Sequence, residues 1–187
     1  MIENIKNSLV ESADLKRIIA EELSEKIEQA INLIHYSLKK NKKVLLMGNG
    51  GSALDAQHIS AELIGRFKLV RDPIPAITLT TDTSLLTAVA NDFGFDQVFA
   101  RQIESLGSED DILIAISTSG NSKNIIKALE LSKKIKMKSI GLLGRDGGEA
   151  IKLVDLPIVV PSFNTPRIQE AHIAIGHIIC EEIEKIL

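Results

Sequence analysis

The sequence has no tryptophan, only 3% of it is aromatic, and it holds one cysteine, Cys180. A lone thiol cannot close an internal disulfide, and its isoleucine-rich surroundings predict that Cys180 is buried. No apolar run approaches the roughly 20 residues needed to cross a bilayer. The opening MIENIKNSLVESADL mixes charged with apolar residues instead of building a secretory leader. A cytoplasmic protein without membrane association is expected. Positive charge is not in excess either: 22 Lys and Arg stand against 25 Asp and Glu, a formal net charge of −3. With so few aromatics, that balance argues against a basic groove or a base-stacking platform, so no nucleic-acid partner is expected. The glycine-rich stretch at 48–51 carries no lysine and the Walker spacing is absent, which argues against hydrolysis of a nucleoside triphosphate.

What is present is the composition of an ordinary globular protein, 44% hydrophobic and 25% charged, in a chain of 187 residues that one domain can accommodate. Residues 1–40 carry Ile and Leu at helical spacing and read as an N-terminal helical region. Residues 41–187 alternate strand-like and helix-like segments, with apolar runs at Val44–Met47, Ala76–Thr80, Ile112–Ile116, Ser139–Leu143 and Leu156–Val160. Five such runs separated by helices predict an α/β fold: a three-layer αβα sandwich around a five-stranded parallel sheet, with functional loops at the carboxyl ends of the strands. The N-terminal region and the closing segment 167–187 carry more apolar surface than one buried stripe needs, which predicts self-association.

The segment from Val44 to Arg66, VLLMGNGGSALDAQHISAELIGR, concentrates the chemistry. A short buried strand breaks into Gly48, Gly50 and Gly51, which let the backbone turn sharply and approach a ligand; Ser52 is placed to cap the helix that follows. Free N–H groups and the positive helix end then face an anion or a polar oxygen. On that helix His58 and Glu62 are four residues apart and share a face, near enough to hold one metal ion or one substrate atom. Arg66 lies one turn further on and can reach substrate or pair with a carboxylate. The alternative reading is an ordinary surface pair, which the adjacent glycine loop disfavours.

A second loop, Ser117-Thr118-Ser119-Gly120-Asn121-Ser122, follows the third strand and precedes a helix. Its four hydroxyls suit the oxygens of a phosphate monoester, although Ser and Thr also serve as caps and turn formers. A third group runs from Arg167-Ile168-Gln169-Glu170-Ala171-His172 to His177, with Pro166 at a helix start. His172 and His177 diverge around that helix, so one of them is structural, and the spacing does not say which. Gln169 and His177 are eight apart, about 12 Å along the axis, near the limit for sharing an ion. His35, on the N-terminal helix, has no evident partner and is expected in solvent. A competing reading is dinucleotide binding, because Gly48, Gly50 and Ala53 match G-x-G-x-x-A and Asp82 follows the second strand. That reading explains neither His58 and Glu62 nor the hydroxyl loop.

Taken in order, GNGGSALDAQHISAEL, NDFGF (91–95), ISTSGNS (116–122), GRDGG (144–148) and RIQEAH (167–172) with His177 resemble the SIS (sugar isomerase) family, and within it the phosphoheptose isomerases, over nearly the whole chain. The resemblance implies a homotetramer with active sites at subunit contacts. It implies interconversion of sedoheptulose 7-phosphate and D-glycero-D-manno-heptose 7-phosphate for bacterial surface polysaccharide. Carried onto this sequence, Ser117, Thr118, Ser119 and Ser122 would grip the phosphate, and Asn49, Gly50, Gly51, Ser52, Asn91 and Asp92 would hold the sugar together with Glu62 and Gln169. His58, Glu62, Gln169 and His177 would bind one zinc ion per subunit, and Glu62 with His177 would form the acid–base pair.

Such an isomerisation removes a proton beside a carbonyl, stabilises an enediolate and returns a proton to the neighbouring carbon. A carboxylate and an imidazole can exchange those protons, contributing about a hundred- to ten-thousand-fold. Zinc with one carboxylate and three neutral ligands keeps a net positive charge and can polarise the carbonyl, yet a carboxylate bound tightly to it is a poorer base. The alternative from another class is a non-catalytic protein on the same fold, a sugar-phosphate sensor or a relative that contacts a replication initiator. It would not need Glu62 and His177 together. Another sugar-phosphate isomerase would share the enediol chemistry and differ in the pocket for the sugar chain.

Overall fold

A computed structural model describes residues 1–187. Two helices, α1 (Ile2–Glu22) and α2 (Ser24–Lys39), precede the sheet. At the break between them Leu23 flattens to φ −116°, ψ −4°, although neither glycine nor proline lies there. The Ser24 hydroxyl donates to the Ala20 carbonyl at 2.6 Å, a side-chain bond that competes with the backbone ladder. There follow β1 (Val44–Gly48), α3 (Gly51–Ile64), β2 (Ala76–Thr78), α4 (Thr83–Phe93), α5 (Ala100–Leu106), β3 (Ile112–Ser117), α6 (Lys123–Lys134), β4 (Lys138–Gly144), β5 (Leu156–Val160) and α7 (Thr165–Ile186). All five expected strands are present. The second is shorter than its apolar run because the Thr81 hydroxyl donates to the Thr78 carbonyl and turns the chain.

The strands are all parallel, in the order β2-β1-β3-β4-β5. Alternation along each strand separates two cores. Val44 and Leu46 join Ile112, Ile114 and Ile116 against α1, α2, α3 and α7, whereas Leu45 and Met47 join Leu113 and Ala115 against α5 and α6. Burial on both faces is why the strands read as unbroken apolar runs. The result is the expected three-layer sandwich with two extra N-terminal helices on one face.

This order places a topological switch at β1, which has β2 on one side and β3 on the other. Gly48 is level with Ile116 in the register, so the loops leaving β1 and β3 begin side by side at the carboxyl edge of the sheet, where open α/β sheets bind ligands. The last helix crosses the same region. It is anchored by fully buried His172, whose Nε2 donates to the Leu143 carbonyl at 3.0 Å; burial pushes this imidazole down to about 4, so it stays neutral. His172 is therefore the structural member of the pair on α7.

Candidate active site

The glycine loop is shaped by Gly50, at φ 55° and ψ −121°, a conformation that a side chain strongly disfavours. Gly51 matters for space: a Cβ there would stand 2.2 Å from Nε2 of Gln169, so the amide of α7 lies directly over the start of α3. Ser52 does not cap α3. The N-cap position is Gly50, without a side-chain hydrogen bond, and Ser52 is buried inside the first turn. Its hydroxyl lines a cavity of about 50 Å³ together with Asn49, Ser117, Thr118, Ser119 and Ser122. The two loops singled out by sequence thus share one small polar hollow.

Within the hydroxyl loop, the Gly120 N–H donates to Ser117 Oγ at 3.0 Å and the Asn121 N–H to Ser119 Oγ at 3.2 Å. Each hydroxyl accepts from the backbone and so keeps its own proton to donate to a ligand oxygen. Ser122 is the N-cap of α6 without a side-chain bond, which leaves its hydroxyl and the helix end free toward the hollow. Asn49 lines the same hollow and also has a second partner. Its amide is engaged in a reciprocal pair with buried Asn124, Nδ2 to Oδ1 at 2.9 Å in both directions, while the Ile125 N–H also donates to Asn124 Oδ1 at 3.0 Å. This pair ties the loop after β1 to the first turn of α6, and sequence gave no hint of Asn124.

His58, Glu62 and His177 converge further along α3. His58 Nε2 lies 3.0 Å from Glu62 Oε1, and His177 Nε2, brought in by α7, lies 3.5 Å from the same oxygen. The side chain of Glu62 is 12% exposed, against 54% for His58 and 39% for His177. Glu62 Oε2 and His177 Nε2 are buried without a hydrogen-bond partner, and so is Oδ2 of Asp55, one turn before His58. Burial raises the Asp55 carboxyl to about 6, opposed by the nearby charges of His58 and His177. Asp55 was missed in the sequence, where its i,i+3 relation to His58 was the only available signal. Buried Cys180 lies below the cluster, 4.0 Å from the Ile59 carbonyl, its thiol pushed up by burial and by Glu62.

Ligand atoms of His58, Glu62 and His177 all lie within 4.8 Å of one another. Two imidazoles and a carboxylate, with orphaned atoms among them, fit a borderline divalent cation such as zinc. Gln169 sits two helical turns before His177, against the glycine loop.

Other candidates lie elsewhere. Asn91 and Asp92 are exposed near the end of α4, where Asn91 Nδ2 donates to Asp92 Oδ1 at 2.8 Å. Arg66 is exposed beyond α3 and makes no ion pair. His35 is half-buried, not solvated, with Nδ1 lacking a partner. Asp82 caps α4 through the Leu85 N–H at 2.9 Å, which accounts for it without a ribose. A larger hollow of about 800 Å³ lies at the opposite edge of the sheet, between Lys42, Arg71 and Pro73–Pro75. It includes none of His58, Glu62 and His177, so convergence of polar atoms, not size, marks the site.

Comparison with known proteins places the sequence and the fold in one family. The sequence model of the SIS domain matches residues 9–144. The phosphoheptose isomerase of Geotalea daltonii is 52% identical, covering 100% of this chain and 97% of its own length; that of Helicobacter pylori strain P12 is 51% identical, covering 99% and 97%. The solved phosphoheptose isomerase of Francisella tularensis superposes with a TM-score of 0.95 at 40% identity, and that of Neisseria gonorrhoeae with 0.93 at 42%, each covering 98% of both chains.

Proposed function

The chain belongs to the phosphoheptose isomerase family of SIS-domain proteins, and we propose that it interconverts sedoheptulose 7-phosphate and D-glycero-D-manno-heptose 7-phosphate through an enediolate. The observation that carries this reading is a single carboxylate oxygen, Glu62 Oε1, facing two imidazole nitrogens at 3.0 and 3.5 Å beside a hydroxyl-lined anion hollow. The hollow takes the phosphate through Ser117, Thr118, Ser119 and Ser122 and the amino end of α6. The glycine loop, Asn49 to Ser52, holds the sugar along the way to Glu62 and His177, with Gln169 above it.

In the forward direction a base removes a proton from C1 of the ketose and delivers it to C2, while the oxygen on C1 loses one proton and the oxygen on C2 gains one. Glu62 is the carbon base: Oε1 faces the imidazoles, and Oε2 is buried and free of partners. The His177 imidazole protonates the oxygen on C2 and takes the proton from the oxygen on C1, so the carbonyl moves and the pair returns to its starting state. His58, Glu62, His177 and Gln169 would hold a zinc ion, which supplies Lewis-acid stabilisation of negative charge on those oxygens. A non-catalytic sensor would have no use for a carboxylate and an imidazole set against each other in this way.

The oligomer belongs to the same proposal. Ile2, Ile5, Leu9 and Val10 of α1 and Ile178 and Ile186 of α7 are exposed, an apolar display suited to contact between copies in a homotetramer. Asn91 and Asp92, exposed on one protomer, then reach the substrate from a neighbouring one. No helix is long and apolar enough to cross a membrane, in keeping with a cytoplasmic enzyme on a soluble phosphosugar. The test is direct: incubation of the purified protein with sedoheptulose 7-phosphate, followed by NMR with and without a chelator. Aldose formation that falls on chelation and returns with zinc is expected; no aldose under any condition refutes the proposal.

A further inference from the structure

We propose that Phe67 is a positioning residue for the isomerisation: its ring, anchored by a buried ion pair between Arg71 and Glu184, holds the His177 imidazole toward Glu62. The role rests on the reading of Glu62 and His177 as the proton-transfer pair. The His177 ring has an aromatic neighbour on each of two sides. Phe67 is stacked on it, centroids 5.5 Å apart with 26° between planes, and His58 meets it at 5.1 Å and 61°. His177 Nε2 has no hydrogen bond to fix it, and its side chain is 39% exposed, so packing against Phe67 is what restricts the rotamers open to the imidazole.

Phe67 itself lies in the irregular segment between α3 and β2, where no helix or sheet ladder holds it. Its support comes from α7. Glu184, two turns beyond His177, accepts the N–H groups of Phe67 at 2.7 Å, Lys68 at 2.8 Å and Leu69 at 2.9 Å, and pairs with Arg71 Nε at 3.2 Å. Its side chain is 1% exposed, and a buried carboxylate that accepts three backbone N–H groups beside the Arg71 charge is a stiff anchor. Those donors outweigh burial and hold the carboxyl at about 2, so it stays charged throughout the working range. Arg71 continues the network by donating to the carbonyls of Glu62 and Leu63, both at 2.8 Å, in the last turn of α3. One ion pair therefore grips the backbone of Glu62 and, through Phe67, the ring of His177. Residues that act on opposite ends of one proton transfer are braced against a common point.

The experiment compares Phe67→Leu, which keeps apolar bulk but removes the ring, with Phe67→Tyr, which keeps the ring. Phe67→Leu is expected to lower kcat roughly ten- to hundredfold, the scale of a misplaced catalytic group. Inhibition by inorganic phosphate, which reads the hydroxyl loop alone, is expected to stay within about twofold, and Phe67→Tyr to restore kcat. In histidine-labelled protein, the ring-current shift of the His177 protons is expected in the parent and Phe67→Tyr and absent in Phe67→Leu. Parental kcat in Phe67→Leu, or an equal loss in both variants, overturns this role while leaving the function standing. A parent that shows the ring-current shift but never turns over the ketose overturns the functional reading, and this role with it.

Discussion

The two halves of the site are built in opposite ways. The hydroxyl loop, 117–122, is local: consecutive residues between one strand and one helix, with Ser117 and Ser119 oriented by N–H groups two or three positions away. The proposed proton-transfer cluster joins His58 and Glu62 on α3 to His177 on α7, and it leaves Glu62 Oε2 and His177 Nε2 buried without partners. Ser117 and Ser119 are thus oriented before a ligand arrives; the cluster has buried polar atoms without protein partners, bonding capacity that suits a metal or substrate. The proposed anion site is encoded within a few residues, whereas the proposed reactive cluster depends on how two helices pack.

Separate perturbation of the halves should separate their functions. Glu62→Gln gives the largest effect, a loss of about a hundred- to ten-thousand-fold in kcat with phosphate affinity largely unchanged, measured by turnover and by calorimetry with inorganic phosphate. Gly176→Ala comes next. A Cβ at 176 would stand 2.6 Å from Cδ1 of Ile59, so it forces α3 and α7 apart at the cluster. Such overpacking costs about 1–3 kcal/mol in stability, and the spreading is expected to lower kcat without weakening phosphate. Asn124→Ala reverses the pattern. Loss of the reciprocal amide pair with Asn49 is worth about 1 kcal/mol, so phosphate binds several-fold more weakly while kcat at saturation changes less.

The smallest effect at neutral pH concerns stability. His172 has its imidazole held at about 4, below the ordinary 6.5, so the unfolded chain takes up a proton first as pH falls. Its contribution is complete above about 6.5 and lost as pH drops through 4. Denaturant midpoints between pH 7 and 5 should fall in the parent and fall less in His172→Gln.

The same contrast explains what could be read in advance. The five strands were legible because burial on both faces makes them uniform apolar runs, and the hydroxyl loop because Ser117 to Ser122 are adjacent. His58 and Glu62 were legible as a pair from helical spacing alone. That His177, rather than His172, joins them was legible only through the family resemblance and not from spacing, since both lie on α7 and only the angle at which α7 crosses α3 distinguishes them. Gly176, which permits that approach, looks like any glycine in a helix until Ile59 is placed opposite it. Asp55 and Asn124 escaped for a related reason: a burial-raised carboxyl and an amide pair across 75 residues are tertiary facts. Conversely, Ser52 matched a cap by type and position, yet the backbone at Gly50 moved the cap two residues earlier.

The most direct test of one shared proton-transfer centre is the reaction run in D2O, with carbon-bound deuterium in the sugar read by NMR for the parent and Glu62→Gln. The parent is expected to place solvent deuterium at C1 of the ketose or C2 of the aldose as it turns over, and Glu62→Gln to place none while still binding phosphate. Deuterium entering at the parental rate in Glu62→Gln would show that another group handles the carbon proton, contrary to the mechanism built on Glu62 and His177.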